Sequence, residues 1–409
     1  MYRYWLIILF ALFPYLGLAQ LNNEVRIYMN EINPDSLRYN IEVLQDYSSR
    51  YAFNPNRKDI ANYLKERLIN YGWDAKLDSF YMDSFEYPYN SGIINTGWQY
   101  NVMADKIGIH NPDTLFIVGA HYDSYASFDS LTYFLNSPGA DDNASGVAVI
   151  LEIARLFQKY NIEPTKTLRI EFYAAEELGL HGSNIAMMRS NNRYNEHISA
   201  MMNLDMVGYK SDSIQEDSIK LISYDNSQIF TDFCEHTTLN YTSLLPLISP
   251  EGNDGSDSWI YYAWGRRAIF IHEYTFNPFY HTSNDIISNI NFNYLSKVSE
   301  LAFAISYLAS STDDFYPISI TPSPTQSQPK LILLENPIRY NLSFIFSSYG
   351  SENPAFQIIN QLGKVEINSK LSAYQTTKNH YKIPIQNLKS GMYFLKVGNQ
   401  VQKFVIIGR

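Results

Sequence analysis

Histidine, aspartate and glutamate recur in the middle of this chain inside five short phrases, in an order that suits cation binding. The phrases are Gly119-Ala120-His121-Tyr122-Asp123-Ser124, Pro138-Gly139-Ala140-Asp141-Asp142-Asn143, Ala174-Ala175-Glu176-Glu177-Leu178-Gly179, Asn203-Leu204-Asp205-Met206 and Tyr280-His281-Thr282. Two cations roughly 3.5–4 Å apart need a group that touches both, and a carboxylate has two oxygens to offer. Asp142 fills that place. Glu177 with His281 then completes one site, and Asp205 with His121 the other, with the oxygen and imidazole donors that zinc accepts at about 2.0–2.2 Å. Water beside two dications sheds a proton easily. Glu176, next to a ligand but free to point elsewhere, is the candidate general base.

Taken singly, each phrase has a plainer reading. A His followed two residues later by Asp is most often structural, and a Glu-Glu pair is usually a solvated face. Asp142 alone could cap a helix running from Gly146 to Phe157. The histidines His110, His181, His197, His236, His272 and His380 read as surface or core residues. The conjunction of five candidate ligands in one order outweighs these readings.

The elements that must position the five are legible as apolar runs. Thr114 to Ala120 reads as a buried strand ending at His121, and Leu168 to Ala174 as one ending just before Glu176. Ile198 to Leu204 stops at Asp205, and Arg267 to Ile271 lies some way before His281. Between them, apolar residues at helical spacing predict helices over Ser36–Ser48, with Asp35 as N-cap, and over Lys58–Tyr71, Ser145–Lys159 and Asn293–Ala309. Short strands alternating with helices indicate an α/β fold, a mainly parallel mixed sheet flanked by helices. In such sheets ligands bind beyond the carboxyl ends of the strands, where the candidate residues fall.

Outside this region the chain changes character twice. Met1-Tyr2-Arg3 and the apolar stretch Trp5 to Phe13, shorter than the roughly 20 residues a span requires, precede Gly17-Leu18-Ala19. That is a signal-peptide pattern over residues 1–19, so the protein is expected to be exported. Residues 20–315 form the expected main domain, and 316–330, rich in Pro, Ser and Thr, a linker. Beyond it, period-2 runs at Asn341–Phe346, Phe356–Ile359, Met392–Val397 and Gln402–Ile407 predict a small antiparallel β-sandwich over 331–409. Across all 409 residues the formal charge is -10, which argues against a nucleic-acid partner. One cysteine, Cys234, excludes an internal disulfide and reads as a buried filler. The chain is expected to be a monomer.

The five phrases resemble those of the M28 family of metallopeptidases, over roughly Leu37 to Leu308. The resemblance implies that His121, Asp142, Glu177, Asp205 and His281 bind two zinc ions and that Glu176 is the base. It also implies that the Asp123 carboxylate supports His121, as groups behind a ligand imidazole do. A cis peptide at Asp142-Asn143 follows from the same likeness. So does an exopeptidase acting on peptides or proteins, an aminopeptidase first of all. A carboxypeptidase of the family would hold a terminal carboxylate through Arg or Lys, for which Arg266 and Arg267 are candidates. The fold also resembles glutaminyl cyclases, which use one zinc, whereas His121 and Asp205 complete a second site here. A third reading is a non-catalytic binding protein on a decayed scaffold, against which the intact Glu176 counts. Some secreted aminopeptidases of the family carry Tyr and Cys in the loop matching Ser249 to Gly255, and this chain has neither. Tyr280, beside the last candidate ligand, is then a candidate substitute for polarising the substrate carbonyl, with a packing role as the alternative.

The tail resembles the C-terminal sorting domain of the type IX secretion system of Bacteroidetes. Glu335-Asn336-Pro337, Gln361-Leu362-Gly363-Lys364, Leu388-Lys389-Ser390-Gly391-Met392-Tyr393 and Lys403-Phe404-Val405-Ile406 carry the likeness. It implies the type IX secretion machinery as partner, and passage through the periplasm to the cell surface or medium. A carbohydrate- or protein-binding module is the alternative.

Overall fold

The computed structural model describes residues 22–86, 92–126, 134–194, 196–211, 217–250, 252–312, 315, 330–333, 338, 340–347, 355–361, 364–377, 380–397 and 400–406. The expected signal peptide, almost all of the expected linker and Glu335-Asn336-Pro337 lie outside the described residues. The chain divides into two compact units, 1–320 and 321–409. No helix among the described residues is long and apolar enough to cross a membrane.

The first unit is built on eight strands: β1 Asp74–Glu86, β2 Ile94–Lys106, β3 Asn111–His121, β4 Lys166–Tyr173, β5 His197–Leu204, β6 Ser218–Ser223, β7 Leu245–Ser249 and β8 Ala268–Glu273. They form one mixed sheet in the order β1-β2-β4-β3-β5-β8-β6-β7. The centre, β4-β3-β5-β8, is parallel throughout. Antiparallel β2 and β1 extend one side, and β6 joins β8 antiparallel on the other. Strand β3 shows why the centre is covered twice. Phe116, Val118 and Ala120 enter one core and Leu115 and Ile117 another, the period-2 alternation of a strand buried on both faces.

Helices α1 Asn23–Met29, α2 Pro34–Gln45, α3 Arg57–Asn70, α4 Ala144–Lys159, α6 Gln228–Tyr241 and α8 Phe292–Ser311 contribute to the larger core. The shorter α5 His181–Arg189 and α7 Ser258–Ala263 pack on the opposite face. Cys234 of α6 is fully buried. The N-cap of α2 is Asn33 rather than Asp35: its Oδ1 accepts from the N–H groups of Asp35 and Ser36 at 2.9 and 3.4 Å. Pro34 takes the first helical position, where a missing N–H costs nothing, and the cap lies two positions back from the expected one. The long β1–β2 pair was not expected, because exposed Tyr81, Ile94 and Trp98 and buried Gln99 and Asn101 break the apolar alternation that marks a strand.

The second unit contains two four-stranded antiparallel sheets. Strands β9 Lys330–Leu333, β10 Asn341–Ser347, β13 Gln375–Thr377 and β14 His380–Pro384 form one; β11 Ala355–Asn360, β12 Val365–Lys370, β15 Gly391–Val397 and β16 Gln400–Ile406 form the other. Leu342 and Phe344 from the first sheet and Phe356, Leu395 and Phe404 from the second share one apolar cluster, as in a β-sandwich.

Candidate metal centre

Strand ends deliver the candidate side chains. His121 is the last residue of β3, Glu176 and Glu177 follow β4 closely, Asp205 follows β5 directly, and His281 lies in the loop after β8. Asp142 sits just before α4. Its helix is capped by Asn143, whose Oδ1 accepts from the Gly146 N–H at 3.0 Å, leaving the Asp142 carboxylate free for other work. The Asn143 amide also donates to the Leu204 carbonyl at 2.8 Å, tying the start of α4 to the strand that ends at Asp205. A side chain at Gly146 would collide with that same carbonyl at 2.5 Å. The Asp142-Asn143 peptide is cis, as the resemblance implies.

The five residues and Glu176 converge. Asp142 Oδ1 lies 3.1 Å from His121 Nε2, and its Oδ2 lies 3.3 Å from His281 Nε2. Asp205 Oδ1 approaches His121 Nε2 at 3.3 Å, and Glu177 Oε2 approaches His281 Nε2 at 2.8 Å. One carboxylate thus faces both imidazoles, and each imidazole has a second carboxylate of its own. Donor atoms of His121, Asp142 and Glu177 lie within 4.8 Å of one another, as do those of His121, Glu176 and Asp205. Glu176 is therefore near enough to be a further candidate metal donor.

Charge in this cluster is unbalanced. Burial and neighbouring carboxylates push Glu176 well above the usual carboxylate range, and burial with the Asp142 charge pushes Glu177 up to about 7. Burial works against a charged His281, yet Glu177 and Asp142 hold its pKa up at about 10. His121 is also raised: burial opposes this, but Glu176 and Asp205 outweigh it. Burial would raise Asp142, but hydrogen bonds to the two imidazoles bring it down. Glu177 Oε1 is buried with no hydrogen-bond partner among the described residues. Crowded carboxylates, two imidazoles and an orphaned oxygen form a donor set that divalent cations satisfy.

Several supporting residues carry no sequence signal of their own. Ser256 donates to Asp205 Oδ2 at 2.7 Å. Asp285 accepts from the backbone N–H groups of Asp141, at 3.0 Å, and Asp142, at 2.9 Å. Arg50, 1% exposed, donates to the carbonyls of Tyr122, Pro138 and Gly139 at 2.8, 2.5 and 2.8 Å. It thereby joins the β3 end to the loop before Asp142. The Asp123 carboxylate, expected behind His121, is engaged mainly elsewhere. It accepts from the N–H groups of Glu176 and Glu177 at 3.1 and 3.3 Å. With the carboxylate so engaged, His121 Nδ1 lies 3.2 Å from the Asp123 main-chain oxygen and 3.7 Å from its Oδ1. Ala175, Met206 and His281 have φ of 55°, 52° and 53°, left-handed conformations that cost about 1–3 kcal/mol each and gather at functional sites.

The cluster opens into a cavity of about 190 Å³ whose other wall includes Met206, Phe270, His272, Phe276 and Tyr280. Tyr280 stacks on His281 with ring centroids 3.7 Å apart. No Lys or Arg lines this cavity among the described residues. Arg266 and Arg267 line a different one, with Thr114, His197 and Ser199 at the amino ends of β3 and β5.

Residues 336–407 match the secretion system C-terminal sorting domain, and the chain carries that domain. A probable leucine aminopeptidase from Arthroderma otae is 28% identical over 272 residues, 64% of this chain and 69% of the relative. Among solved structures, LapB from Legionella pneumophila is 25% identical with a TM-score of 0.60, covering 72% of this chain and 77% of that one. The glutaminyl cyclase of Bacteroides thetaiotaomicron shares the fold at 20% identity and a TM-score of 0.52, over 68% of this chain and 98% of that one. Residues 101–306, half of the chain, match the model of peptidase family M28, and the protein belongs to that family.

Proposed function

We propose that the first unit is a dinuclear zinc aminopeptidase that removes N-terminal residues from peptides. Asp142, Glu177 and His281 would hold one zinc, and Asp142, His121 and Asp205 the other. The observation that carries this reading is the division of the Asp142 oxygens between two imidazoles, each with a further carboxylate. Bound zinc would supply Lewis-acid polarisation of the scissile carbonyl and acidity to water. Glu176, on a backbone fixed by Asp123, takes a proton from the attacking water and returns it to the leaving amine. An acidic cavity without Lys or Arg draws a free α-ammonium and repels a terminal carboxylate, which favours an aminopeptidase over a carboxypeptidase. The relative named above, a probable leucine aminopeptidase, points the same way.

The C-terminal sorting domain directs the protein through the type IX secretion machinery to the cell surface or medium. Glutaminyl cyclase is the competing chemistry on this fold, and the second imidazole–carboxylate pairing at His121 and Asp205 counts against it. Zinc analysis of the purified protein should give two equivalents. Aminoacyl chromogenic substrates should be cleaved, and N-blocked peptides left intact. One equivalent of zinc with cyclisation of N-terminal glutamine, or cleavage of N-blocked peptides from the carboxyl end, would displace the proposal.

A further inference from the structure

Beyond the candidate donors the cavity is lined mostly by apolar and aromatic residues, with Asn253 and His272 as further polar side chains. Met206, Phe270, Phe276 and Tyr280 line it, and His272 stands among them. Phe270 and His272 are two residues apart on β8, so both project from one face of the strand. Their ring centroids are 5.4 Å apart at an edge-to-face angle of 82°. Phe276 lies nearly parallel to the imidazole, with centroids 6.1 Å apart.

The hydrogen bonding of His272 sets its tautomer. Its Nδ1 lies 2.6 Å from the Glu273 carbonyl oxygen. A carbonyl only accepts, so Nδ1 carries the proton, and in a neutral ring Nε2 then holds a lone pair. Burial depresses the pKa of this histidine, which keeps the ring neutral. Nε2 has no hydrogen-bond partner among the described residues. On the aminopeptidase reading, a substrate whose scissile carbonyl sits at the cluster lays its first side chain against this part of the cavity. There it meets aromatic faces for an apolar body and one acceptor for a donor at the tip.

We propose that His272 determines specificity, its Nε2 accepting a hydrogen bond from the N-terminal side chain of the substrate, so that tyrosine is preferred to phenylalanine. This rests on the aminopeptidase reading of the site. Phenylalanine fills the same space but leaves Nε2 unmet. A net hydrogen bond of ordinary strength corresponds to roughly a 3- to 10-fold preference.

The test compares kcat/KM of the full-length, zinc-loaded protein on the p-nitroanilides of tyrosine, phenylalanine and O-methyltyrosine. Tyrosine is expected to exceed both others by that factor. O-methylation removes the donor while keeping the oxygen, so this comparison needs no variant. In His272→Phe the ratio of tyrosine to phenylalanine should fall to about one. Phenylalanine turned over as well as tyrosine by the wild type, or a ratio that His272→Phe leaves unchanged, overturns this inference alone. No cleavage of any aminoacyl anilide overturns the aminopeptidase reading and this inference with it.

Discussion

Asp142 sends one oxygen toward each imidazole, while Glu176 stands beside this arrangement on main chain held by Asp123. On the proposed reading, metal binding and proton transfer fall to different side chains. Glu176→Gln should keep the fold and the zinc content but lower kcat by about 10²–10⁴-fold, because an amide cannot accept the proton. Near-wild-type turnover in a variant shown to hold its metal would remove Glu176 from the role. The donors were legible in the sequence because each stands in a short phrase at the end of an apolar run. Arg50, Ser256 and Asp285 were not. They bind main-chain or side-chain groups of segments distant in sequence, and neither composition nor periodicity records such a partnership.

Among the elements, the segment from Gly139 to Asn143 is the most heavily constrained. Arg50 grips the carbonyls at its start, Asp285 takes two of its N–H groups, and Asn143 pins it to the end of β5. Asp285→Ala leaves two buried N–H groups unmet, at about 1–3 kcal/mol each. Its Tm should fall by roughly 4–10 °C. Asp285→Asn keeps one accepting oxygen and should lose less. Calorimetry on both variants decides this, and an alanine variant melting with the wild type would show that the contact does not stabilise. The strands and helices next to these loops were legible within a few residues, since strong apolar periodicity marks them. The β1–β2 hairpin escaped notice because much of it faces water and its register comes from pairing with β4, which no local pattern encodes.

On the scale of the molecule, the metal-binding candidates all belong to the first unit, and the sorting domain falls in the second. Each unit has its own apolar cluster. A chain cut near Pro317 should therefore cleave aminoacyl substrates with kcat/KM within about twofold of the full protein, while failing to leave the cell. Unchanged export together with lost affinity for large substrates would make the tail a binding module instead. The expected linker, 316–330, spans the division between the two units at 320 and 321, and β9 begins at Lys330, the linker's last residue.

The donors come from the ends of β3, β4 and β5 and from loops after β3 and β8, between residues 121 and 281. No short piece of chain offers more than a fragment of the set. Contacts so distant in sequence form late, after local helices and hairpins. Before its sheet forms, an emerging chain offers zinc only scattered weak donors, so cation capture is expected as the closing event of maturation rather than a nucleus for it. In refolding, zinc uptake should coincide with the slowest phase of native fluorescence. A chelator-resistant complex formed before that phase would reverse the order.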